Sequence, residues 1–275
     1  MSNEEMIAQT EFMVTKEYRR FAEFCDACLR YRYISLCYGL PGVGKTLSAR
    51  HYTQWDLLEP LLVSSRTVQT PPVKVIGCHT ILYTPAVANT PKRIEEEIRS
   101  LRMRLGYLIE DAEHVKQGDE DWTFLYSPPP EKMDLLVVDE ADRLKVSGLE
   151  QMHDIYDRSR IGLVLIGMPG LEKRLARYAQ LYSRVGFVHE FHPLSPEEAR
   201  FILQQRWQQW GLSLHADDFT DMEVVTAILR ITQGNFRLIH RLLSQVERIL
   251  QINELRTITK EVIEVAREQL IIGQR

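Results

Sequence analysis

The segment Gly39-Leu-Pro-Gly-Val-Gly-Lys45-Thr46 constrains this chain more than any other part of its sequence. It matches the pattern G-x-x-x-x-G-K-[ST] without a mismatch. It also follows an apolar stretch, Tyr33–Tyr38, that predicts a strand, and it precedes residues 45–55, which predict a helix. Glycines allow backbone N–H groups to curl around phosphate oxygens, and a helix start adds a favourable dipole. The segment, called the phosphate loop below, therefore predicts a phosphate-binding strand–loop–helix unit.

The side chains of the phosphate loop have expected roles at a nucleoside triphosphate. Lys45 is expected to reach the β- and γ-phosphates, and the Thr46 hydroxyl is expected to ligate Mg²⁺. The backbone of the loop would line the phosphates. The residues expected to bind the nucleotide here are Gly39, Leu40, Pro41, Gly42, Val43, Gly44, Lys45, Thr46 and Leu47.

A second candidate site lies at the end of the run Met133–Asp139, which is typical of a buried parallel strand. The run ends in the acidic pair Asp139-Glu140. Open parallel sheets place their ligands at the carboxyl ends of strands. We therefore expect Asp139 to hold Mg²⁺ through water and Glu140 to orient and polarise the attacking water. The pair indicates hydrolysis rather than binding alone.

Predicted strands and helices alternate up to about residue 192, which indicates an α/β fold with a parallel, helix-covered sheet. The expected strands are Tyr33–Tyr38, 73–82, Met133–Asp139, Ile161–Gly167 and Phe187–Phe191, with helices near 16–31, 45–55, 90–105, 148–159 and 170–180. Beyond Ser195 the sequence predicts only helices, at 196–210, 221–232, 235–252 and 259–270. We predict an N-terminal segment and helix (1–32), a nucleotide-binding core (33–193, with an irregular insertion at about 108–132) and a helical lid (194–275).

Composition excludes several classes of protein. The 275 residues include 44% hydrophobic and 26% charged residues, with a formal net charge of −4. This balance excludes a disordered chain, a collagen-like fibre and a disulfide-built mini-protein, and it leaves only a local basic patch for nucleic acid. We expect a cytoplasmic protein, because the acidic start is unlike a secretory signal and Ile161–Met168 is too short to span a membrane. The cysteines, Cys25, Cys28, Cys37 and Cys78, are expected to be reduced core residues.

These motifs together make the chain resemble the AAA+ ATPases over about residues 15–270. The resemblance is carried by the phosphate loop, the Asp139-Glu140 pair, the strand at 161–167 and Gly234-Asn-Phe-Arg237 in the helical lid. It implies a P-loop AAA+ core, ATP and Mg²⁺ as cofactors, and contact of Arg237 with the γ-phosphate. It also implies an arginine supplied by a neighbouring subunit. Arg184 matches that position, and Arg174 and Arg177 are alternatives.

One position departs from the family pattern. The residue just past the strand at 161–167 is usually polar, whereas this chain reads Ile166-Gly-Met-Pro-Gly170. Without a polar group there, the attacking water would be positioned less well. We therefore expect slow or partner-stimulated hydrolysis, which suits a switch more than a motor.

Within the AAA+ ATPases the chain is most similar to the transposition regulators of the MuB, IstB, TniB and TnsC type. The residues behind this likeness are Asp139–Lys145, Leu165–Lys173, Tyr182-Ser-Arg184 and Phe191–Ser195. The resemblance implies a bacterial, nucleoid-associated protein that forms ATP-bound rings or helical filaments on duplex DNA. Such a protein would mark a target site, recruit or stimulate a transposase together with a target-selection partner, and disassemble on hydrolysis.

Contact with DNA requires basic groups on the lining surface of such an assembly. The resemblance places Lys145 there, and the charged helix near 90–105 offers Lys92, Arg99, Arg102 and Arg104. Phosphate contacts of this kind would give sequence-tolerant, salt-sensitive binding. The alternative for the helix is a solvated face with ion pairs one turn apart, such as Glu95 with Arg99.

Two other functions remain open from the sequence. The first is a helicase loader or replication initiator, which shares parts of the same motifs. The second belongs to another class, a nucleotide switch that acts as a signalling scaffold without DNA. Binding to random duplex DNA that depends on ATP and on salt would distinguish the scaffold from the other functions.

Overall fold

A computed structural model describes residues 12–63, 71–118, 131–212 and 218–270. Spatial contacts divide the chain into two compact units. The sheet unit comprises Arg20–Gly39 and Lys45–Phe191, and the helical unit comprises Met1–Arg19, Leu40–Gly44 and His192–Arg275, as far as these ranges are described. The tip of the phosphate loop therefore groups with the helices, whereas its lysine and threonine group with the sheet.

The described part of the sheet unit contains a five-stranded parallel sheet in the order β2-β3-β4-β1-β5. Leu36 pairs with Leu165 on one side and Val188 on the other. Every residue of β3 and β4 is buried, because these central strands pack on both faces. The predicted α/β fold is confirmed. The strands are β1 (Ile34–Tyr38), β2 (Thr80–Tyr83), β3 (Leu135–Val138), β4 (Gly162–Gly167) and β5 (Val185–Glu190).

Amphipathic helices accompany the strands of the sheet. In α1, Phe21, Cys25 and Cys28 are fully buried at helical spacing. α4 begins as predicted, with the Thr90 hydroxyl accepting a hydrogen bond from Arg93 N and proline in the first turn. The helices of this region are α1 (Lys16–Tyr31), α2 (Lys45–Tyr52), α3 (Trp55–Val63), α4 (Pro91–Gln117), α5 (Val146–Arg158), α6 (Leu171–Leu175) and α7 (Ala179–Tyr182).

The prediction of a strand over residues 73–82 is wrong for the first half of this range. Val73–Gly77 forms a 3₁₀ helix, and β2 begins only at Thr80. Within that turn only Val75 is buried, whereas Val73 is exposed. The β-branched residues here predict a strand, but among the described residues no strand pairs with Val73–Gly77, and burial of one side chain suits a single helical turn.

The charged helix is longer than predicted, and it occupies the first part of the predicted irregular insertion. α4 continues to Gln117 because Ile109 and Ala112 extend its buried face, and it ends at Gly118 in the left-handed conformation. Residues 108–117 are therefore helical, and 119–130 lie outside the described residues. The helix predicted at 170–180 is instead divided into α6 and α7.

Helices alone form the regular structure of the helical unit within the described residues. Trp207, Ile228, Leu242 and Ile263 are almost completely buried in one apolar core. The start of α8 is a capping box, in which Ser195 and Glu198 each accept a hydrogen bond from the other's backbone N–H. The helices are α8 (Pro196–Gln209), α9 (Phe219–Thr232), α10 (Phe236–Ile252) and α11 (Lys260–Glu268).

Burial decides the role of the cysteines. All four are buried free thiols, as predicted, and burial raises the pKa of Cys28 to about 11. They are therefore unreactive core residues. Among the described residues, no helix is both long and apolar enough to cross a membrane.

Candidate nucleotide-binding site

The phosphate loop starts where β1 ends, at the carboxyl edge of the sheet. The Gly39 N–H donates a hydrogen bond to the Gly167 carbonyl at the end of β4 (3.3 Å). The Lys45 ammonium donates to the Gly39 carbonyl (2.6 Å). Because Lys45 is the first residue of α2, its charge lies at a helix N-terminus, where backbone N–H groups favour an anion.

The structure brings together the two residues predicted to hold a metal ion. The Thr46 hydroxyl donates to the carboxylate of Asp139 (Oγ1–Oδ2 2.7 Å), which is 4% exposed. The second oxygen of Asp139 accepts a hydrogen bond from Glu140 N (2.9 Å). Hydroxyl and carboxylate oxygens suit Mg²⁺. Since no cluster of three His, Cys, Asp or Glu residues occurs in the described ranges, phosphate oxygens and water would complete the coordination.

Glu140 does not lie free at the end of β3. Its backbone adopts a φ of 50°, which is uncommon outside glycine. Its carboxylate forms an ion pair with Arg143, whose guanidinium also donates to the Pro85 carbonyl (3.0 Å). Arg143 is not among the predicted site residues. The spacing of these two residues, one helical turn apart, is the signal that indicates such a pair.

A carboxylate supplies the polar group that the end of β4 lacks in its own sequence. Asp142 accepts a hydrogen bond from Met168 N (2.6 Å), and its carbonyl accepts one from Arg174 (2.9 Å). A Cβ atom at Gly167 would lie 2.5 Å from the Asp142 carboxylate, so glycine leaves the necessary space. The turn that carries Glu140 is thereby tied to the end of β4. Asp142 is not among the predicted site residues, because its contact joins the turn after β3 to the residue that follows β4.

Within the helical unit, the tip of the phosphate loop contacts the start of α10. Arg237 N donates to the Gly42 carbonyl (2.9 Å), and the Asn235 side chain donates to the Pro41 carbonyl (2.8 Å). The Arg237 guanidinium itself is exposed and makes no hydrogen bond or ion pair in the described parts of the chain. Asn235 is a further residue that the sequence analysis did not assign.

Arg184 lies at the opposite edge of the sheet from the phosphate loop. It directly precedes β5, and in a parallel sheet the amino ends of the strands share one edge. Its guanidinium forms two hydrogen bonds with Asp157 (2.7 and 2.8 Å) and one with the Gln180 carbonyl (2.7 Å). The residue is therefore held in place, away from Lys45 and Asp139 of its own chain.

The residues predicted to contact DNA differ in their surroundings. Lys145 is exposed at the start of α5 and has no side-chain partner within the described residues. The four α4 cations predicted to contact DNA all have partners: Arg99 with Glu95 (3.0 Å), Lys92 with Glu96 (3.9 Å), Arg102 with Glu131 and Ser159, and Arg104 with the Leu62 carbonyl (2.7 Å). Burial also lowers the pKa of Arg102. A role of these residues in DNA binding stays a prediction.

The fold and the site define a P-loop nucleotide-binding protein. The family model described as "AAA domain" matches residues 29–175, and the chain belongs to this family. Membership assigns ATP binding and an ATPase core to the chain. The match includes the phosphate loop, the Asp139-Glu140 pair and β4.

Two relatives extend the comparison beyond the core. A "Potential ATP-binding protein" of Staphylococcus aureus is 46% identical, over 98% of this chain and 100% of the relative. The "ATP-dependent target DNA activator B" of Escherichia phage Mu is 29% identical, over 60% of this chain but only 45% of the phage protein. The second similarity confirms the resemblance to the transposition-regulator group of AAA+ ATPases.

A solved structure supports the fold alone. The RuvB Holliday junction branch migration motor of Thermotoga maritima aligns with a TM-score of 0.58 at 17% identity. The alignment covers 95% of this chain and 71% of the RuvB chain. The helical unit thus belongs to the shared architecture as well as the sheet.

Proposed function

We propose that this chain is an ATP-dependent DNA-binding regulator of transposition. It assembles as a ring or helical filament on duplex DNA, marks the target site and recruits or stimulates a transposase. ATP hydrolysis then drives disassembly. The observation that carries the proposal is the Thr46–Asp139 contact beside the phosphate loop, in a chain that resembles the phage Mu target DNA activator.

The residues at the loop suit a nucleoside triphosphate with Mg²⁺. With nucleotide bound, the Lys45 ammonium would leave the Gly39 carbonyl and bind the β- and γ-phosphates. Charged phosphate oxygens are better acceptors for an ammonium group than a neutral carbonyl is. Thr46 and Asp139 would hold Mg²⁺, which neutralises phosphate charge when bound. In the helical unit, the exposed Arg237 guanidinium is available for the γ-phosphate.

Hydrolysis would depend on Glu140, and its ion pair supports a low basal rate. The carboxylate of Glu140 would have to leave the Arg143 guanidinium before it could orient and accept a proton from a water molecule. The end of β4 offers a carboxylate that is already bonded to Met168 N instead of a neutral polar side chain. Both features support slow or partner-stimulated turnover.

The location of Arg184 supports a site completed by a second copy of the chain. At the opposite edge of the sheet it is remote from its own phosphate loop, so a γ-phosphate within its reach would belong to a neighbouring subunit. An arginine supplied in this way stabilises transition-state charge, which makes hydrolysis depend on assembly.

Among the residues predicted to contact DNA, Lys145 is the one with no present side-chain partner in the described part of the chain. It is exposed and unpaired within the described residues, and it directly follows the turn that carries Glu140 and Arg143. The four α4 cations predicted to contact DNA would first have to leave their present partners. One such lysine adds little to the affinity for DNA, but the same contact repeated by every subunit of a filament gives a large total affinity.

The proposal is tested by binding of the full chain to random duplex DNA. We expect binding with ATP or a non-hydrolysed analogue, weaker binding with ADP, and a steep decrease in affinity with salt. Lys45→Ala should lose nucleotide binding and DNA assembly, whereas Lys173→Ala, an α6 variant of equal charge change, should retain both. Electron microscopy of the ATP-analogue complex would show the ring or filament.

Three results would contradict the proposal. Normal assemblies formed by Lys45→Ala would overturn the nucleotide site. Failure to bind duplex DNA with any nucleotide would favour the scaffold function. Stimulation of a helicase-loading reaction, with no effect on a transposase encoded beside this chain, would favour the helicase loader.

A further inference from the structure

We propose that Asn235 is a positioning residue for nucleotide binding. Its side-chain amide holds the phosphate loop so that the N–H groups of the loop face the phosphates. This inference rests on the proposed nucleotide site and assigns a role to a residue outside the loop and the acidic pair.

The oxygen and the nitrogen of the Asn235 side-chain amide form hydrogen bonds with different parts of the helical unit. Its oxygen accepts a hydrogen bond from Leu238 N (3.2 Å) and so caps α10. Its nitrogen donates to the Pro41 carbonyl in the loop (2.8 Å). The cap fixes the amide plane, and the fixed amide then fixes the loop.

The next carbonyl of the loop is also held. The Gly42 carbonyl accepts a hydrogen bond from the backbone N–H of Arg237, the second residue of α10 (2.9 Å). Two successive loop carbonyls therefore point toward α10. A single bond would leave the peptide planes free to rotate, but two bonds on neighbouring planes define the backbone path.

The hydrogen bonds to the Pro41 and Gly42 carbonyls also determine where the N–H groups of the same peptides point. In a planar trans peptide the C=O and the following N–H point in opposite directions. Anchoring the Pro41 and Gly42 carbonyls toward α10 thus turns the Gly42 and Val43 N–H groups away from it. Neither N–H donates a hydrogen bond to any described residue. Such a row of unpaired donors forms a concave site for an anion.

The sequence of the loop is adapted to this contact. Gly42 has a φ of 81°, and a Cβ atom there would lie 2.7 Å from the Asn235 oxygen and 2.9 Å from the Arg237 Cβ. Glycine is therefore needed for the left-handed backbone and also for the close approach of α10. The geometry of the loop depends on the helical unit as well as on its own residues.

The test separates the cap from the donor. Asn235→Asp keeps a good helix cap but loses the donor to Pro41, and Asn235→Ser keeps a cap without adding charge. We expect both variants to bind ATP about tenfold more weakly, which corresponds to about 1.4 kcal/mol. Without nucleotide their melting temperatures should remain close to that of the unmodified chain. The matched control is Asn253→Asp at the other end of α10, where the amide donates to the Ile249 carbonyl (2.9 Å).

The outcomes are distinguishable. Weaker ATP binding by both Asn235 variants, with Asn253→Asp unchanged, supports the inference. An Asn235→Ser variant that binds ATP within twofold of the unmodified chain overturns it, even if Asn235→Asp is weak, because added charge then explains the loss. If Lys45→Ala binds ATP normally, the nucleotide site itself is wrong.

Discussion

The carboxylate of Glu140 is paired with the guanidinium of Arg143, one helical turn further along the chain. Arg143 is anchored in turn to the Pro85 carbonyl beyond β2. The side chains of Glu140 and Arg143 are 48% and 36% exposed, so the pair is worth about 0.2–1 kcal/mol. An interaction of this size restrains the proposed base and is weak enough for a partner or a phosphate to displace.

Replacement of Arg143 should therefore activate the enzyme. We expect Arg143→Gln to raise the basal rate of ATP hydrolysis about two- to fivefold. This range corresponds to removing an ion pair worth about 0.4–1 kcal/mol that holds Glu140 back from the attacking water. Phosphate release at saturating ATP measures the effect. Arg143→Lys should stay near the unmodified rate, since it retains the charge. Arg158→Gln, which removes the ion pair with Asp154 in α5, is the matched control. A decrease with Arg143→Gln would show instead that Arg143 assists catalysis.

Glu140→Gln should separate ATP binding from hydrolysis. The amide cannot accept a proton from water, so we expect turnover to fall by about a hundredfold or more, with ATP affinity retained. Assemblies on DNA should persist, as measured by their lifetime after dilution. Glu150→Gln removes an exposed carboxylate from α5 and should change neither rate nor lifetime. Rapid turnover by Glu140→Gln would refute the role of this residue as the base.

Mixed assemblies should reveal whether Arg184 acts on a neighbouring subunit. Arg184→Ala and Glu140→Gln should each be nearly inactive alone. In an equal mixture, some sites combine the intact Glu140 of one chain with the intact Arg184 of its neighbour. We expect hydrolysis by the mixture to exceed the sum of the separate samples. Equal rates would place Arg184 outside the active site, and Arg174→Ala would then be tested in the same way.

Asp111 should make stability depend on pH. Burial, followed by the charge of Glu110, raises the pKa of Asp111 from 3.8 to about 6, and its Oδ1 has no partner in the described residues. The folded state thus prefers the protonated acid, so stability is lost as pH rises from about 4 to 6. Asp111→Asn should stabilise the protein by about 1 kcal/mol at pH 7.5, a value reduced for solvent screening, and by almost nothing at pH 4. Melting curves at the two pH values measure this; an equal gain at both would exclude ionisation as the cause.

The parts of the site that are local in sequence could be predicted from it. The phosphate loop joins β1 to α2 as expected, and Asp139 directly follows β3. Such motifs can be recognised in the sequence because the backbone of the glycines and the side chains of Lys45 and Thr46 all act within one short stretch of chain. The apolar runs of β3 and β4 also predict buried strands directly, since a strand buried on both faces contains few polar residues.

The contacts that orient these motifs depend on the tertiary structure. Asp142 reaches Met168 N, and Asn235 reaches the Pro41 carbonyl, across 26 and 194 residues of chain. The prediction of a strand over Val73–Gly77 is wrong for a related reason. Whether β-branched residues form a strand depends on pairing with a neighbouring strand, which the local sequence does not show. The sequence by itself determined the chemistry of the phosphate loop and the acidic pair. Only the folded chain decided which side chains restrain Glu140 and which hold the loop carbonyls, because hydrogen bonds between distant segments leave no periodic pattern in the sequence.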